Sequence, residues 1–324
     1  MPKFKPCAAH VPVSVIVPCF NNRELLPVCV DSIQKGTPPA QIIIVDDCSS
    51  DDSLAVAHML ATKFDNVEVI ARAANGGAAA ARRTGLDRAR HSWVALVDAD
   101  DFIEVDAVAR AFKIARSQGS DICIWDMWRF DAGNIWPSMR LQAEDFPKSG
   151  RQAVVETLGN WRIHPLGVAR TSLYSTAYAG FQETVINADE LLTRVLFANA
   201  RQVSFCEKRY FYRVNPRSTT RVVTERSLSA LDSYLWLLQF VRDFPEVRPE
   251  VIGRDAIVHA WLLLRSCRTC GVPIGPKLAE FLPRFRHASG LRRWIWRYPK
   301  HLAAYAIMLT IGKFYGTAFR RRRA

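Results

Sequence analysis

No apolar run in this 324-residue chain is long enough to cross a bilayer. The C-terminal run, residues 302–312, is eleven residues, against about 20 for a spanning helix. The last 44 residues, Phe281–Ala324, contain no aspartate or glutamate yet carry eleven lysines and arginines. They account for eleven of the thirteen net positive charges, so the first 280 residues are close to neutral. That asymmetry separates a neutral body from a basic tail and argues against a nucleic-acid-binding body. Gly-x-Gly-x-x-Gly is absent, and so is a Walker loop, which removes the dinucleotide-binding and P-loop readings. The eight cysteines form no dense framework, and Cys267-Arg-Thr-Cys270 has no second pair. The alternatives for this pair are a metal or redox role and one helical turn bearing two half-buried thiols; the expectation is the helical turn, within a reduced cytoplasmic protein. Met1–His10 has no signal-peptide pattern. Hydrophobic residues at 49% and charged residues at 23% are ordinary for a globular protein.

What is present is organised around Val94-Ala-Leu-Val-Asp98-Ala-Asp100-Asp101. An apolar run ends in three carboxylates within four positions. A buried strand cannot hold unpaired carboxylates, so the strand must stop there. Crowded carboxylates call for a shared positive charge, and Mg²⁺ or Mn²⁺ prefers oxygen ligands supplied together with substrate phosphates. The alternative is a solvated turn that caps the next helix.

The preceding chain alternates. Val13–Phe20, Gln41–Val45, Asn66–Ile70 and Trp93–Val97 have the continuous apolar character of buried parallel strands. Glu24–Gln34, Ser53–Phe64 and a segment opened by Gly76-Gly77 and running to about Ala89 have helical spacing. Strand and helix in alternation predict an α/β fold with a mostly parallel, doubly wound sheet. Ligands of such a sheet bind at the carboxyl ends of its strands. Asp46 and Asp47 end the second strand, where they either cap the following helix or accept hydrogen bonds from a base or ribose. Gly76-Gly77 permits close backbone approach to a phosphate, and Arg82 lies within reach of a diphosphate.

Four stretches resemble the inverting family 2 glycosyltransferases of GT-A fold: Val15-Ile-Val-Pro18-Cys-Phe20-Asn21, Ile44-Val-Asp46-Asp47-Cys-Ser49, Asn75-x-Gly77-x-x-x-Ala81-Arg82-x-x-Gly85, and Asp98-Ala-Asp100-Asp101. The resemblance implies a GT-A nucleotide-sugar-binding fold with a helical C-terminal extension. It places Pro18, Phe20, Asn21, Asp46, Asp47, Gly77, Arg82, Asp98 and Asp100 around the nucleotide of the donor. Asp47 is expected at the base and Asp100 at the ribose. Asp101, with Asp100, is expected to hold Mg²⁺ or Mn²⁺ on the diphosphate. Arg83 stands where the family commonly has asparagine.

Later in the chain, Phe102–Ser117 reads as a helix and Asp121–Trp125 as a strand. Residues 126–147 read as an irregular stretch whose aromatics Trp128, Phe130, Trp136 and Phe146 suit either sugar faces or a core. Asp189 and Glu190 open an amphipathic helix. They are either first-turn acids complementing the helix dipole or, as the resemblance implies, the adjacent acids that include the catalytic base. Position matching favours Glu190, but the order Asp-Glu inverts the family's, so either acid stands as the base. Val203–Cys206 and Tyr210–Arg213 read as two edge strands, with Arg213, Arg217 and Arg221 as candidate partners of the departing diphosphate. Two helices follow, over Thr224–Phe244 and Pro249–Cys270. The basic, Trp- and Tyr-containing tail suits either an anionic membrane surface or a core helix with a solvated end.

The expected organisation is a catalytic domain over residues 11–222 and a helical region over 223–324 with a membrane-associating tail. The expected activity moves a sugar, from UDP in particular, to a glycan or lipid-linked hydroxyl in envelope polysaccharide or lipopolysaccharide synthesis. The expected location is cytoplasmic, peripheral on the inner membrane face. The rivals are a nucleotidyltransferase, whose glycine- and lysine-rich N-terminal loop is missing between Pro18 and Arg23, and a non-enzymatic basic nucleic-acid- or membrane-binding protein. A processive synthase is disfavoured because Gly290 stands three before Arg293-Trp294, where such enzymes have glutamine.

Overall fold

A computed structural model describes residues 10–139, 141–158, 162–179, 188–214, 225–289, 291 and 295–321. Its strands are β1 Val11–Cys19, β2 Pro39–Asp46, β3 Val67–Ala71, β4 Trp93–Leu96, β5 Phe102–Ile103, β6 Ile122–Asp131, β7 Asn134–Pro137, β8 Lys148–Ser149, β9 Gly167–Arg170 and β10 Gln202–Arg213. Its α-helices are α1 Leu26–Gln34, α2 Ser53–Lys63, α3 Ala78–Arg88, α4 Ala107–Gln118, α5 Gly150–Thr157, α6 Thr171–Ala179, α7 Ala188–Asn199, α8 Ala230–Phe240, α9 Pro249–Cys270, α10 Gly275–Ala288 and α11 Pro299–Arg321.

The four apolar runs of the first hundred residues do become parallel neighbours, in the order β3-β2-β1-β4. Their side chains Val13, Val15, Val17, Ile42, Ile44 and Ala95 are fully buried, as continuous apolar strands covered on both faces must be. The packing of α3 on this sheet explains Gly85: a Cβ there would lie 2.4 Å from Ile16 Cγ2. The sheet then continues as β9-β6-β10-β5, with antiparallel β9 between β4 and β6.

Three expectations are corrected. The helix foreseen from Phe102 begins at Ala107; Phe102 and Ile103 pair antiparallel with β10 instead. The two edge strands foreseen over 203–213 are one interior strand, β10, between β6 and β5. Its charged middle, Glu207-Lys208-Arg209, coincides with a register shift against β6 between Cys206 and Arg209, so the sequence breaks where the strand does not. The stretch from Asp126 is not irregular: β6 runs on to Asp131 and turns into β7 through Ala132 (φ 44°) and Gly133 (φ 87°). Two consecutive positive φ values are the signature of a tight hairpin turn, and Ala-Gly advertises one only weakly.

The chain divides into two compact units. One comprises Met1–Thr157, Arg162–Glu183 and Leu192–Asn215; the other comprises Leu158–Trp161, Thr184–Leu191 and Pro216–Ala324. In the second, α8 to α11 bury Leu231, Leu238, Ala256, Leu264, Phe281, Phe285 and Met308. Cys267 is buried and Cys270, the last residue of α9, is exposed, rather than both being half-buried. The apolar run 302–312 lies within α11, where Tyr305 and Met308 are buried and Tyr305 stands 6.1 Å from the Phe285 ring of α10. Ile307 is exposed, and no described helix is long and apolar enough to cross a membrane.

Candidate functional site at the carboxyl ends of the parallel strands

β4 ends as its carboxylates begin, and each described partner is distinct. Asp98 accepts two hydrogen bonds from one terminal nitrogen of Arg82, at 2.7 and 3.0 Å. Asp101 is 2% exposed. Its Oδ2 accepts from the Tyr210 hydroxyl at 2.6 Å, and its Oδ1 accepts from the Arg213 backbone N–H at 2.7 Å. Arg213 Nε donates to the Asp100 carbonyl at 2.9 Å, while its guanidinium lies over the rings of Phe102 and Phe130. The end of β4 is therefore stapled to β10, more than a hundred residues away. Arg213 spends its Nε on that staple; Arg217 and Arg221 lie outside the described residues.

Burial, and then the charges of Asp98 and Asp100, push the Asp101 carboxyl well above the ordinary carboxylate range. Burial and Asp101 likewise push the Tyr210 phenol up. Among the described residues, no group of three His, Cys, Asp or Glu side chains is arranged to hold a metal. A hard divalent cation here would take one or two protein carboxylates and complete its shell with substrate oxygens. Like-charge crowding on Asp101 is the condition such an ion relieves, so the residues fit an ion that arrives with an anionic ligand.

The ends of β1 and β2 are joined by hydrogen bonds. Asn21, at φ 53°, accepts through Oδ1 from the Ser50 N–H at 2.8 Å, and its own N–H donates to Ser49 Oγ at 3.0 Å. Phe20 is exposed and Pro18 is inside β1. Asp46 accepts from the Ser49 N–H at 3.0 Å through one oxygen; its other, Oδ1, is buried without a hydrogen-bond partner. Asp47 is an ion-pair partner of Arg72 and accepts from the Gly76 and Gly77 N–H groups, the latter at 2.6 Å. The glycine pair thus turns its amides onto a protein carboxylate, and Gly77 takes φ 83° to do so. Arg72 and Tyr210 were invisible as site residues: each is defined by a partner 25 and 109 positions away.

Asp189 and Glu190 lie in the first turn of α7; their side chains lie outside the described residues. His164, not foreseen, is buried with its pKa lowered to about 3 by desolvation, and its Nδ1 accepts from the Leu166 N–H at 3.0 Å. A neutral imidazole in that position acts as a loop brace.

Residues 14–170 match Glycosyl transferase family 2. A poly(ribitol-phosphate) beta-glucosyltransferase of Bacillus spizizenii is 28% identical over 208 residues, covering 62% of this chain and 32% of that protein. Poly(ribitol-phosphate) beta-N-acetylglucosaminyltransferase TarS of Staphylococcus aureus is 27% identical over 205 residues, covering 61% of this chain and 35% of that protein. The structure of TarS residues 1–349 with UDP-GlcNAc superposes with a TM-score of 0.66 at 19% identity, covering 94% of this chain and 92% of that one. GalNAc-T7 with UDP, GalNAc and Mn²⁺ superposes with a TM-score of 0.54 at 14% identity, covering 70% of this chain and 47% of that one. The chain thus spans about a third of the length of those two curated relatives, and its fold is the GT-A fold.

The raised Asp101 has a measurable consequence. An acid whose folded pKa lies above its unfolded value binds more protons in the native state. Stability therefore falls as pH rises from about 3.8 toward the raised value. Asp101→Asn keeps the shape and removes the charge. It is expected to raise the ligand-free thermal midpoint at pH 7. It should also flatten the midpoint's dependence on pH above 4. Calorimetric scans at several pH values check this; a lower midpoint at pH 7 is the contrary result.

Proposed function

The chain carries a family 2 glycosyltransferase domain over residues 14–170, and from that premise we propose that it transfers a sugar from a UDP-sugar, with inversion, to a hydroxyl of an envelope glycan or lipid-linked acceptor. The observation that carries this reading is the crowded, buried carboxylate of Asp101 at the carboxyl end of β4. The names of the relatives, which act on poly(ribitol-phosphate), point to an anionic surface polymer as the acceptor class. A nucleotidyltransferase shares the need for acids and nucleotide, but its products differ: transfer frees nucleoside diphosphate, not pyrophosphate.

The nucleotide lies along the strand ends. Phe20, Asn21 and Pro18 close one side of the base. Asp47 faces the base while also holding the Gly76-Gly77 loop in place, with Asp46 beside it at the end of β2. Asp100 accepts from the ribose. Arg82, fixed by Asp98, brings positive charge to the diphosphate side. Asp101, with Asp100, would hold Mg²⁺ or Mn²⁺ at the diphosphate, an ion that when bound offsets the charge of the leaving group. Glu190, or Asp189 beside it, removes the proton of the acceptor hydroxyl as that oxygen attacks the anomeric carbon. Inversion needs no enzyme nucleophile.

Residues 216–324 carry 20 lysines and arginines against 7 acids, a surplus of 13 that equals the net charge of the whole chain. Anionic lipid headgroups attract such a segment. The burial of Tyr305 and Met308 makes α11 part of a packed unit, so the charged end Arg320–Arg323, rather than the whole helix, is the membrane-seeking element. The charge of this segment supports a peripheral location at the inner face of the cell membrane.

Three outcomes are expected. Incubation with UDP-glucose or UDP-GlcNAc and Mn²⁺ should release UDP, and Asp101→Ala should abolish release while the protein stays folded. Persistence of near-native turnover in Asp101→Ala with chelator present would refute the metal role. Glu190→Gln should lower kcat by about 10²- to 10⁴-fold with little change in donor KM; if Asp189→Asn is instead the severe variant, the two acids exchange roles. Replacing Arg320–Arg323 by glutamine should weaken co-sedimentation with anionic vesicles by roughly 30-fold or more at low salt, at about 1 kcal/mol per charge with half of them engaged. Equal sedimentation of both proteins places the membrane contact elsewhere.

A further inference from the structure

The bond from Tyr210 to Asp101 marks which face of the sheet looks at the acidic centre. Side chains two apart on a strand share a face, so Tyr212 lies on the Tyr210 face of β10. Register pairs Tyr212 with Arg129 of β6, and Arg129 with Trp136 of β7. Residues directly opposite across strands stand side by side. The result is a row, Tyr212–Arg129–Trp136, running outward from the acidic centre across three strands. Electrostatics agree with this placement: after half-burial, the charges of Asp101, Asp100 and Asp98 push the Tyr212 hydroxyl up, while Arg129 opposes them.

The neighbouring aromatics are committed elsewhere. Trp128 donates to Asp126 Oδ2 at 2.6 Å and lies 4.3 Å from the Arg209 guanidinium. Phe130 packs edge-on against Phe102 at 5.3 Å, and Phe146 stacks on Phe205 at 5.2 Å. Trp136 is 39% exposed instead. Arg129 is exposed and makes a long 3.5 Å contact from Nε to Ser138 Oγ. An indole and a phenol flanking a guanidinium offer flat apolar surfaces for the C–H faces of sugar rings, and a planar fork of donors for a phosphate.

We infer that the row Tyr212–Arg129–Trp136 is an acceptor subsite that takes a phosphate-bearing sugar, with rings against Trp136 and Tyr212 and the phosphate on Arg129. The assignment of the ligand as acceptor rests on the glycosyltransferase reading; the affinity for sugar phosphate does not. The charge complementarity and the continuity with the centre built on Asp101 both select this occupant over an apolar partner.

The test is titration of the full-length chain with maltohexaose 6-phosphate and with unmodified maltohexaose, followed by tryptophan fluorescence and calorimetry. The phosphorylated probe should bind about ten times tighter, the range expected of a hydrogen bond to a charged group. Arg129→Gln should erase that preference and Arg129→Lys should keep part of it. Trp136→Ala should weaken both probes by about five- to tenfold. Absence of preference in the wild type, or titrations of Arg129→Gln and Trp136→Ala that superpose on it, overturns the proposal. A polyprenyl-phosphate-linked sugar in detergent forms a second arm: tighter binding than the soluble probe assigns the phosphate to a lipid carrier, and equal binding assigns it to the sugar, and either supports the row. UDP titration of the wild type separates the two readings. Failure to bind UDP overturns the donor reading, while a sugar-phosphate preference abolished by Arg129→Gln still supports the row.

Discussion

One buried carboxylate organises the catalytic unit. Asp101 sits where an interior strand must end, and a bare carboxylate in that position is costly. The fold meets the cost with a phenol and a backbone N–H, both from β10. That solution ties β10, the last strand of the unit, to the end of β4. The staple does not remove the charge: both partners are neutral, and Asp98 and Asp100 remain close. On the proposed reading, this crowding of carboxylates suits a cation that comes and goes with the substrate.

Asp47 follows the same logic with a different outcome. Amides of a glycine pair at a helix start ordinarily attract an anion. Here the anion is supplied by the protein, and Arg72 joins it. The loop is thereby tied to the end of β2 before any ligand arrives. Asp46, its neighbour, makes a bond through only one oxygen. Two adjacent aspartates, equivalent in sequence, are divided by geometry into an anchor of the glycine loop and a brace of the turn at Ser49.

The legible parts were those whose signal is local. Four buried strands, the carboxylates that stop two of them, and a helix opened by Pro249 announce themselves within a few residues. What escaped was set by partners far along the chain or by exceptions to propensity. Nothing near Tyr210 indicates that its hydroxyl meets Asp101. The charges of Glu207–Arg209 mimic a strand break because an irregular register absorbs them. Ala132 occupies a positive-φ turn position that glycine or asparagine usually marks. Asp189 and Glu190 were legible as a pair of helix-opening acids, and α7 does begin with them; the choice between them is a matter of chemistry that position alone does not decide.

Charge partition gives the last step. The residues before 216 carry 24 basic and 24 acidic side chains, and the surplus lies wholly beyond them. On the proposed reading, a neutral catalytic stretch does not compete with the basic segment for a membrane, and its acidic centre is left to meet cations and phosphates on local terms. Attraction over about a Debye length, roughly 8 Å at physiological salt, then belongs to the C-terminal segment alone. Recruitment and chemistry, on the proposed reading, belong to different stretches of chain, which lets ionic strength modulate where the protein is without altering how Asp101 is held.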